Sequence, residues 1–170
     1  MSAKMLARDG ILLALASAFS FLESFVPLPA GMRLGLSSLI VMYVIYTLST
    51  AEAFFLVLLK SCFVLLIRGM TAGLLSVSGG MLSLFGMILL AYLNSSVLLT
   101  SAIGGMLHNF GQCLAAMCLL RSNALWMYLP LLLLAGMAAG ILIACIFRLL
   151  VSYLPDTKEL LISNSSERMS

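Results

Sequence analysis

Glu23-Ser-Phe-Val-Pro-Leu-Pro-Ala-Gly-Met-Arg-Leu-Gly-Leu-Ser-Ser38 separates two long apolar runs. The segment holds two prolines, two glycines, an acid and an arginine. Proline removes a backbone donor and clashes with the preceding helical turn, so a helix cannot run through it. The apolar runs on either side therefore read as separate helices joined by bent, partly polar chain. Working outward, the apolar runs divide into six predicted spans, roughly 9–26, 35–50, 51–68, 71–92, 97–120 and 129–153. A spanning helix needs about 20 mainly apolar residues. The second and third runs are the tightest pair, and Ser49-Thr-Ala-Glu52 between them has the spacing of a capping box. That spacing predicts a new helix start there, with Glu52 as a cap and not a catalytic acid.

Composition agrees with a membrane chain. Of 170 residues, 63% are hydrophobic and 9% charged, against about half and a quarter in a soluble domain. The mean hydropathy is +1.19. So few charges cannot clothe a water-facing surface. The fold class expected is an all-α integral membrane protein, a bundle of about six transmembrane helices. Residues 1–154 form one transmembrane domain, and 155–170 a short polar tail. Lys4 and Arg8 before the first apolar run, with Ala16-Ser-Ala18, have some features of a cleaved signal peptide. The apolar run continues past Ala18 without a polar start, which favours a retained span.

Lys4 and Arg8 orient the N-terminus to the cytoplasm by the positive-inside rule. Six crossings return the C-terminus there, with Arg148, Lys158 and Arg168. Arg33, Arg68 and Arg121 then fall on the outer side, where positive charge is normally sparse. They are either snorkelling arginines bound to lipid phosphates or a positive rim around an outward-facing pocket for an anion. Trp126 and Tyr128 would lie at the outer interface, and Tyr92 and Tyr153 at the inner one.

Polar groups inside the spans are expensive and mark function by default. Glu23 lies near the outer end of span one. Lys60 is mid-span, with Arg68 about 12 Å further outward at 1.5 Å per residue. Glu23 and Lys60 either pair to neutralise each other or face a ligand. In Gly104-Gly-Met-Leu-His-Asn-Phe-Gly-Gln112, His108 and Gln112 share one helical face and Asn109 flanks it. Interhelical hydrogen bonding could employ them, at about 0.6 kcal/mol each. Three such side chains in five residues exceed what packing needs and point to a binding face. Small residues recur every fourth position at Ala14 and Ala18, and at Gly136, Gly140 and Ala144, giving smooth stripes for close helix contact.

Several chemistries are excluded or disfavoured. The chain has no GxxxxGK[ST] phosphate loop, no GxSxG and no HExxH. Its six acidic residues include no adjacent pair, so no aspartate-rich magnesium cluster can form. Cys62, Cys113, Cys118 and Cys145 lie in apolar runs without CxxC spacing, which reads as core and gives no metal site. Nine scattered basic residues do not suggest nucleic acid. No cofactor is expected.

Pro27-Leu-Pro-Ala-Gly-Met-Arg-Leu-Gly-Leu-Ser-Ser38, Leu65-Leu-Ile-Arg-Gly69, Ser78-Gly-Gly-Met-Leu-Ser83 and Gly104–Gln112, in that order, resemble segments of the bacterial Gx transporter family. That family is also labelled heptaprenyl diphosphate synthase component I. The resemblance covers most of residues 10–150, and departs at Ser38, where the family commonly has asparagine. The family in turn is similar to the substrate-binding S components of energy-coupling factor (ECF) transporters. The resemblance implies a bundle of six helices in the bacterial plasma membrane that binds a small vitamin-like substrate from outside. It implies docking through Ala14 and Ala18 onto a scaffold transmembrane subunit, with ATP hydrolysed by separate ATPase subunits. It supplies no catalytic motif. The substrate-binding residues expected are Glu23, Arg33, Lys60, Arg68, His108, Asn109 and Gln112, with the broken segment after Glu23 as an outer gate. The competing reading is a membrane accessory component of isoprenoid or quinone synthesis.

Overall fold

Each of the five longest apolar runs forms one helix, because in a bilayer only a helix satisfies all its backbone groups locally. The computed structural model describes residues 3–25 and 35–153, apart from the side chains of Ser24 and Asn123. Its helices are α1 (Ala3–Leu22), α2 (Ser38–Thr47), α3 (Thr50–Arg68), α4 (Met70–Tyr92), α5 (Val97–Leu120) and α6 (Leu129–Tyr153). Short 3-10 turns, Glu23–Phe25 and Asn123–Tyr128, follow α1 and precede α6. No strand occurs among the described residues.

The predicted spans 51–68, 71–92, 97–120 and 129–153 agree with helices α3 to α6 within a residue or so. The second span does not. Helix α2 has 10 residues, about 15 Å at 1.5 Å per residue, half of a 30 Å hydrocarbon core. Five helices are long and apolar enough to cross a membrane, and α2 is not one of them. Its run read as a span because it is apolar on every side. The structure explains this differently: eight of its ten residues are buried, so α2 is a plug inside the bundle.

Cap chemistry sets the helix starts. Ser49 Oγ accepts from Glu52 N–H at 3.2 Å, as the spacing predicted. The other half of the box is replaced: Glu52 Oε1 accepts from Arg8 of α1 at 2.9 Å. That ion pair brings together the starts of α1 and α3, so these helices run parallel, and their common starting end is here termed the lower end. Gly69, at φ 86°, is the single residue between α3 and α4. The left-handed backbone that glycine allows lets α4 return directly along α3.

Glycines set the closest crossings. Gly79 of α4 lies against Gln112 and the His108 carbonyl of α5, and Gly111 of α5 against the Ser78 carbonyl. Gly105 of α5 meets Gly136 and Gly140 of α6, where Ser101 Oγ also donates to the Gly140 carbonyl at 2.7 Å. Small residues let these backbones approach, which drives helix association where lipid removes the hydrophobic force. The main apolar core gathers Leu12, Ala16, Leu39 to Met42, Val44, Ile45, Leu56, Val57, Leu84, Met87, Ile143 and Phe147. Outward-facing Leu66, Phe85, Leu89, Leu131 and Leu149 are exposed, as lipid contact requires. Trp126 and Tyr128 are exposed at the upper end, and Tyr92 and Tyr153 at the lower end.

Candidate functional site

Because α2 begins halfway through the bundle, its first residues meet the middles of the long helices. Lys60 is ten residues into α3, about 15 Å from its start, and His108 is about 16 Å into α5. Around this level the described residues form a polar centre. Lys60 is 2% exposed and donates Nζ to Ser37 Oγ at 2.8 Å. Glu23, also 2% exposed, accepts from the Ser37 backbone N–H through Oε1 at 2.8 Å. The acid after α1 and the base in α3 therefore converge on one residue at the entry to α2. A carboxylate suits that place, since the first N–H groups of a helix lack intrahelical acceptors and carry partial positive charge.

A second pair lies on α5. Gln112 Nε2 and His108 Nε2 are 2.7 Å apart, so the imidazole nitrogen accepts from the amide in the tautomer carrying its proton on Nδ1. The imidazole packs on Gly35, which has φ 83°. A side chain there would meet His108 Cδ2 at 3.0 Å, so glycine serves both the turn and the close approach. Gly79 makes the matching space for Gln112 on α4. Ser61 and Ser76 hydroxyls, 3.2 Å apart, extend the polar layer between α3 and α4. Ser83 Oγ and Asn109 Oδ1 are buried without a hydrogen-bond partner among the described residues. Buried polar atoms are nearly always paired, so such orphans are either strained or served by a ligand or water.

The sequence-predicted residues are therefore distributed unequally. Glu23 and Lys60 meet at Ser37, and His108 and Gln112 meet each other beside Gly35. Asn109 turns away from that pair: its Nδ2 donates to the Leu132 carbonyl of α6 at 2.8 Å. Arg68 is exposed at the upper tip of α3, and Arg121 is exposed with left-handed φ 49° at the end of α5. Neither belongs to the buried centre. Arg33 and the proline-bearing part of the expected gate lie outside the described residues, as does the tail from 154. Ser37, Gly35 and Gly79 were not singled out as site residues. The signal for the first two was Gly35-Leu-Ser-Ser38, a glycine and two small polar residues directly before an apolar run.

Ala14 and Ala18 are exposed on α1 and line an open apolar groove of about 580 Å³ with Gly10, Ser17, Phe63 and Ile67. A second cavity of about 360 Å³, between α1, α2 and α3, lies nearer the lower end, walled by Leu12, Val44, Leu56 and Leu59, with Asp9 and Glu52 at its polar edge.

Comparison with protein families identifies the family of this chain. The family described as heptaprenyl diphosphate synthase component I matches residues 12–150, from the middle of α1 nearly to the end of α6. Neither the comparison with curated proteins nor that with solved structures gives a match.

Proposed function

Starting from a chain that belongs to the heptaprenyl diphosphate synthase component I family, we propose that it is a substrate-binding membrane subunit of a transporter. In this reading it is an S-component-like partner of an ECF-type module that binds a small anionic substrate. One observation carries the reading: two buried ionisable side chains, Glu23 after α1 and Lys60 of α3, both held on Ser37 at the entry to the half-length helix α2. Burying a charge in a membrane protein is costly and marks substrate and ion pathways. The start of a helix broken inside the bundle is a recurrent place for an anionic substrate group in transporters. His108 and Gln112 add hydrogen-bonding groups at the same level, suited to a polar substrate body.

In this proposal the exposed Ala14–Ala18 groove docks a scaffold transmembrane subunit, and separate ATPase subunits supply energy. The upper end faces outward in the bacterial plasma membrane, both termini are cytoplasmic, and the chain itself performs no catalysis. Arg68, and Arg33 beyond the described residues, would attract an anion toward the entrance. Native mass spectrometry of the purified protein tests the reading: a retained small anion is expected, and loss of that species in Lys60→Met would locate it. The family description favours a second reading, a membrane accessory component of prenyl diphosphate synthesis. Magnesium-dependent prenyl transfer that requires this chain, with no retained ligand, would decide for it.

A further inference from the structure

We propose that the cavity between α1, α2 and α3 binds a membrane lipid whose head carries a primary ammonium, with an acyl chain among the leucines and the ammonium on Asp9 beside Glu52. The site goes beyond the transporter reading and does not depend on it. Glu52 lies eight residues before Lys60, about 12 Å lower along α3.

The walls of the cavity follow from helical spacing. Leu6, Asp9 and Leu13 recur every third or fourth residue on α1, as do Glu52, Leu56 and Leu59 on α3, so each set shares one face. Val44 of α2 and Leu48 just after it close the third side. The lining is apolar except at Asp9 and Glu52. Leu6, Phe55 and Leu59 of this lining are also more than half exposed on the outside of the bundle, so the cavity of about 360 Å³ opens toward lipid. Asp9 is the seventh residue of α1 and Glu52 the third of α3, so both lie within roughly 10 Å of the lower helix ends, where lipid heads reside.

The polar edge is short of positive charge. Arg8 donates Nε and Nη2 to Asp9 Oδ1 at 3.0 and 2.9 Å, and Nη2 also to Glu52 Oε1 at 2.9 Å. One guanidinium therefore serves two carboxylates, which leaves this group of three with an excess negative charge. Asp9 Oδ2 has no hydrogen-bond partner among the described residues, on a side chain that is 29% exposed. Glu52 Oε2 is buried and also without a partner among them. Asp9 thus offers the accessible acceptor, and Glu52 adds its field from behind. Lys4, one turn below Arg8, is exposed and forms no ion pair among the described residues. Uncompensated carboxylates at the edge of a membrane are costly, and a cation placed there removes the cost.

The head, and not the chain, selects the lipid. Lipid tails are as apolar as leucine, so moving a chain from the bilayer into the cavity gains little. A primary ammonium brings a positive charge and three N–H donors, which suit a free carboxylate oxygen. A trimethylated ammonium has the charge but no N–H. A glycerol head has no cation, and its phosphate is repelled by the excess negative charge. The phosphate of a zwitterionic head is served by Arg8 Nη1, whose two N–H groups make no bond among the described residues. A soluble amine would leave the leucine walls unused.

The test uses the full chain, delipidated in detergent, with lipid adducts counted by native mass spectrometry. The probes are phosphatidylethanolamine, phosphatidylcholine and phosphatidylglycerol with the same acyl chains. Wild type should bind phosphatidylethanolamine about tenfold tighter than either of the others, the worth of about one charge-assisted hydrogen bond. Asp9→Asn, which keeps the shape and the bond from Arg8, should lose that preference, and Asp9→Glu should keep it. Leu59→Trp, which blocks the cavity and spares both carboxylates, should weaken phosphatidylethanolamine binding about tenfold. Leu66→Trp, exposed on the upper part of α3, should bind as wild type does. Thermal unfolding of each variant checks that the fold is kept. Equal affinity of wild type for all three lipids, or a preference that survives Asp9→Asn, overturns the ammonium contact. Unchanged binding by Leu59→Trp overturns the cavity as the place of the chain. Phosphatidylglycerol binding tighter than phosphatidylethanolamine assigns the edge to phosphate and overturns the proposal. Phosphoethanolamine without acyl chains, competing as well as the lipid, assigns the site to a soluble amine and overturns the lipid occupant.

Discussion

Replacing Gly136 by alanine probes the α5–α6 crossing that positions the α5 polar residues. A Cβ at Gly136 would lie 2.5 Å from the Gly105 carbonyl oxygen, 2.9 Å from its carbon and 3.0 Å from Asn109 Nδ2. Comfortable contact begins near roughly 3.5 Å, so the helices must part by about 1 Å. The obstacle is backbone of the facing helix, which no rotamer change can remove. The same crossing carries the bonds from Asn109 to Leu132, at 2.8 Å, and from Ser101 to Gly140, at 2.7 Å. Parting by about 1 Å takes both beyond hydrogen-bonding distance. Overpacking costs about 1–3 kcal/mol, and two interhelical bonds at about 0.6 each add roughly 1. The gain in helix propensity returns up to about 1 kcal/mol. The net expectation is a loss of about 1–4 kcal/mol. Gly86→Ala is the control, because its Cβ meets only the Leu107 side chain, with Cγ at 3.6 Å and the flexible Cδ1 tip closer. That tip can rotate, so Gly86→Ala should stay within about 0.5 kcal/mol of wild type or gain slightly. Unfolding both variants in mixed micelles with increasing sodium dodecyl sulfate gives the comparison. Gly136→Ala proving as stable as Gly86→Ala would refute the close-crossing argument.

Lys60→Met alone should destabilise by about 3–5 kcal/mol, because it leaves the Glu23 carboxylate buried without its nearby cation, and adding Glu23→Gln should recover most of the loss. Equal stability of single and double variants in the same unfolding assay would count against electrostatic coupling through Ser37. Gln112→Ala should weaken binding of the retained ligand about 5- to 150-fold, since one lost buried hydrogen bond costs about 1–3 kcal/mol. Asn109→Ala, whose amide faces α6, should lower stability by about 0.6 kcal/mol and change affinity less; calorimetric titration and unfolding would separate the two. Trp at both Ala14 and Ala18 should abolish co-purification with a scaffold subunit while leaving thermal stability within about 1 kcal/mol, as both alanines face the open groove.

The all-helical membrane class, the ends of α3 to α6 and the cap at Ser49 were legible in the sequence. Hydrophobic length, turn residues and capping chemistry act locally, so a linear reading recovers them. The identities of Glu23, Lys60, His108 and Gln112 as interior polar groups were legible for the same reason: charge and amides inside apolar runs must avoid lipid. Their partners were not. Ser37 looks like any small residue before a helix, and only the depth at which α2 starts brings it to both Glu23 and Lys60. Apolar composition alone could not distinguish α2 from a span, because a helix surrounded by protein and one surrounded by lipid are both hydrophobic all round. Asn109 follows His108 in sequence yet serves α6, since one residue of helix turns a side chain by about 100°. Charge and amide groups inside apolar runs already dictate which residues must leave lipid. Which of them meet follows from helix packing, because meeting depends on where the glycine crossings let the helices come close.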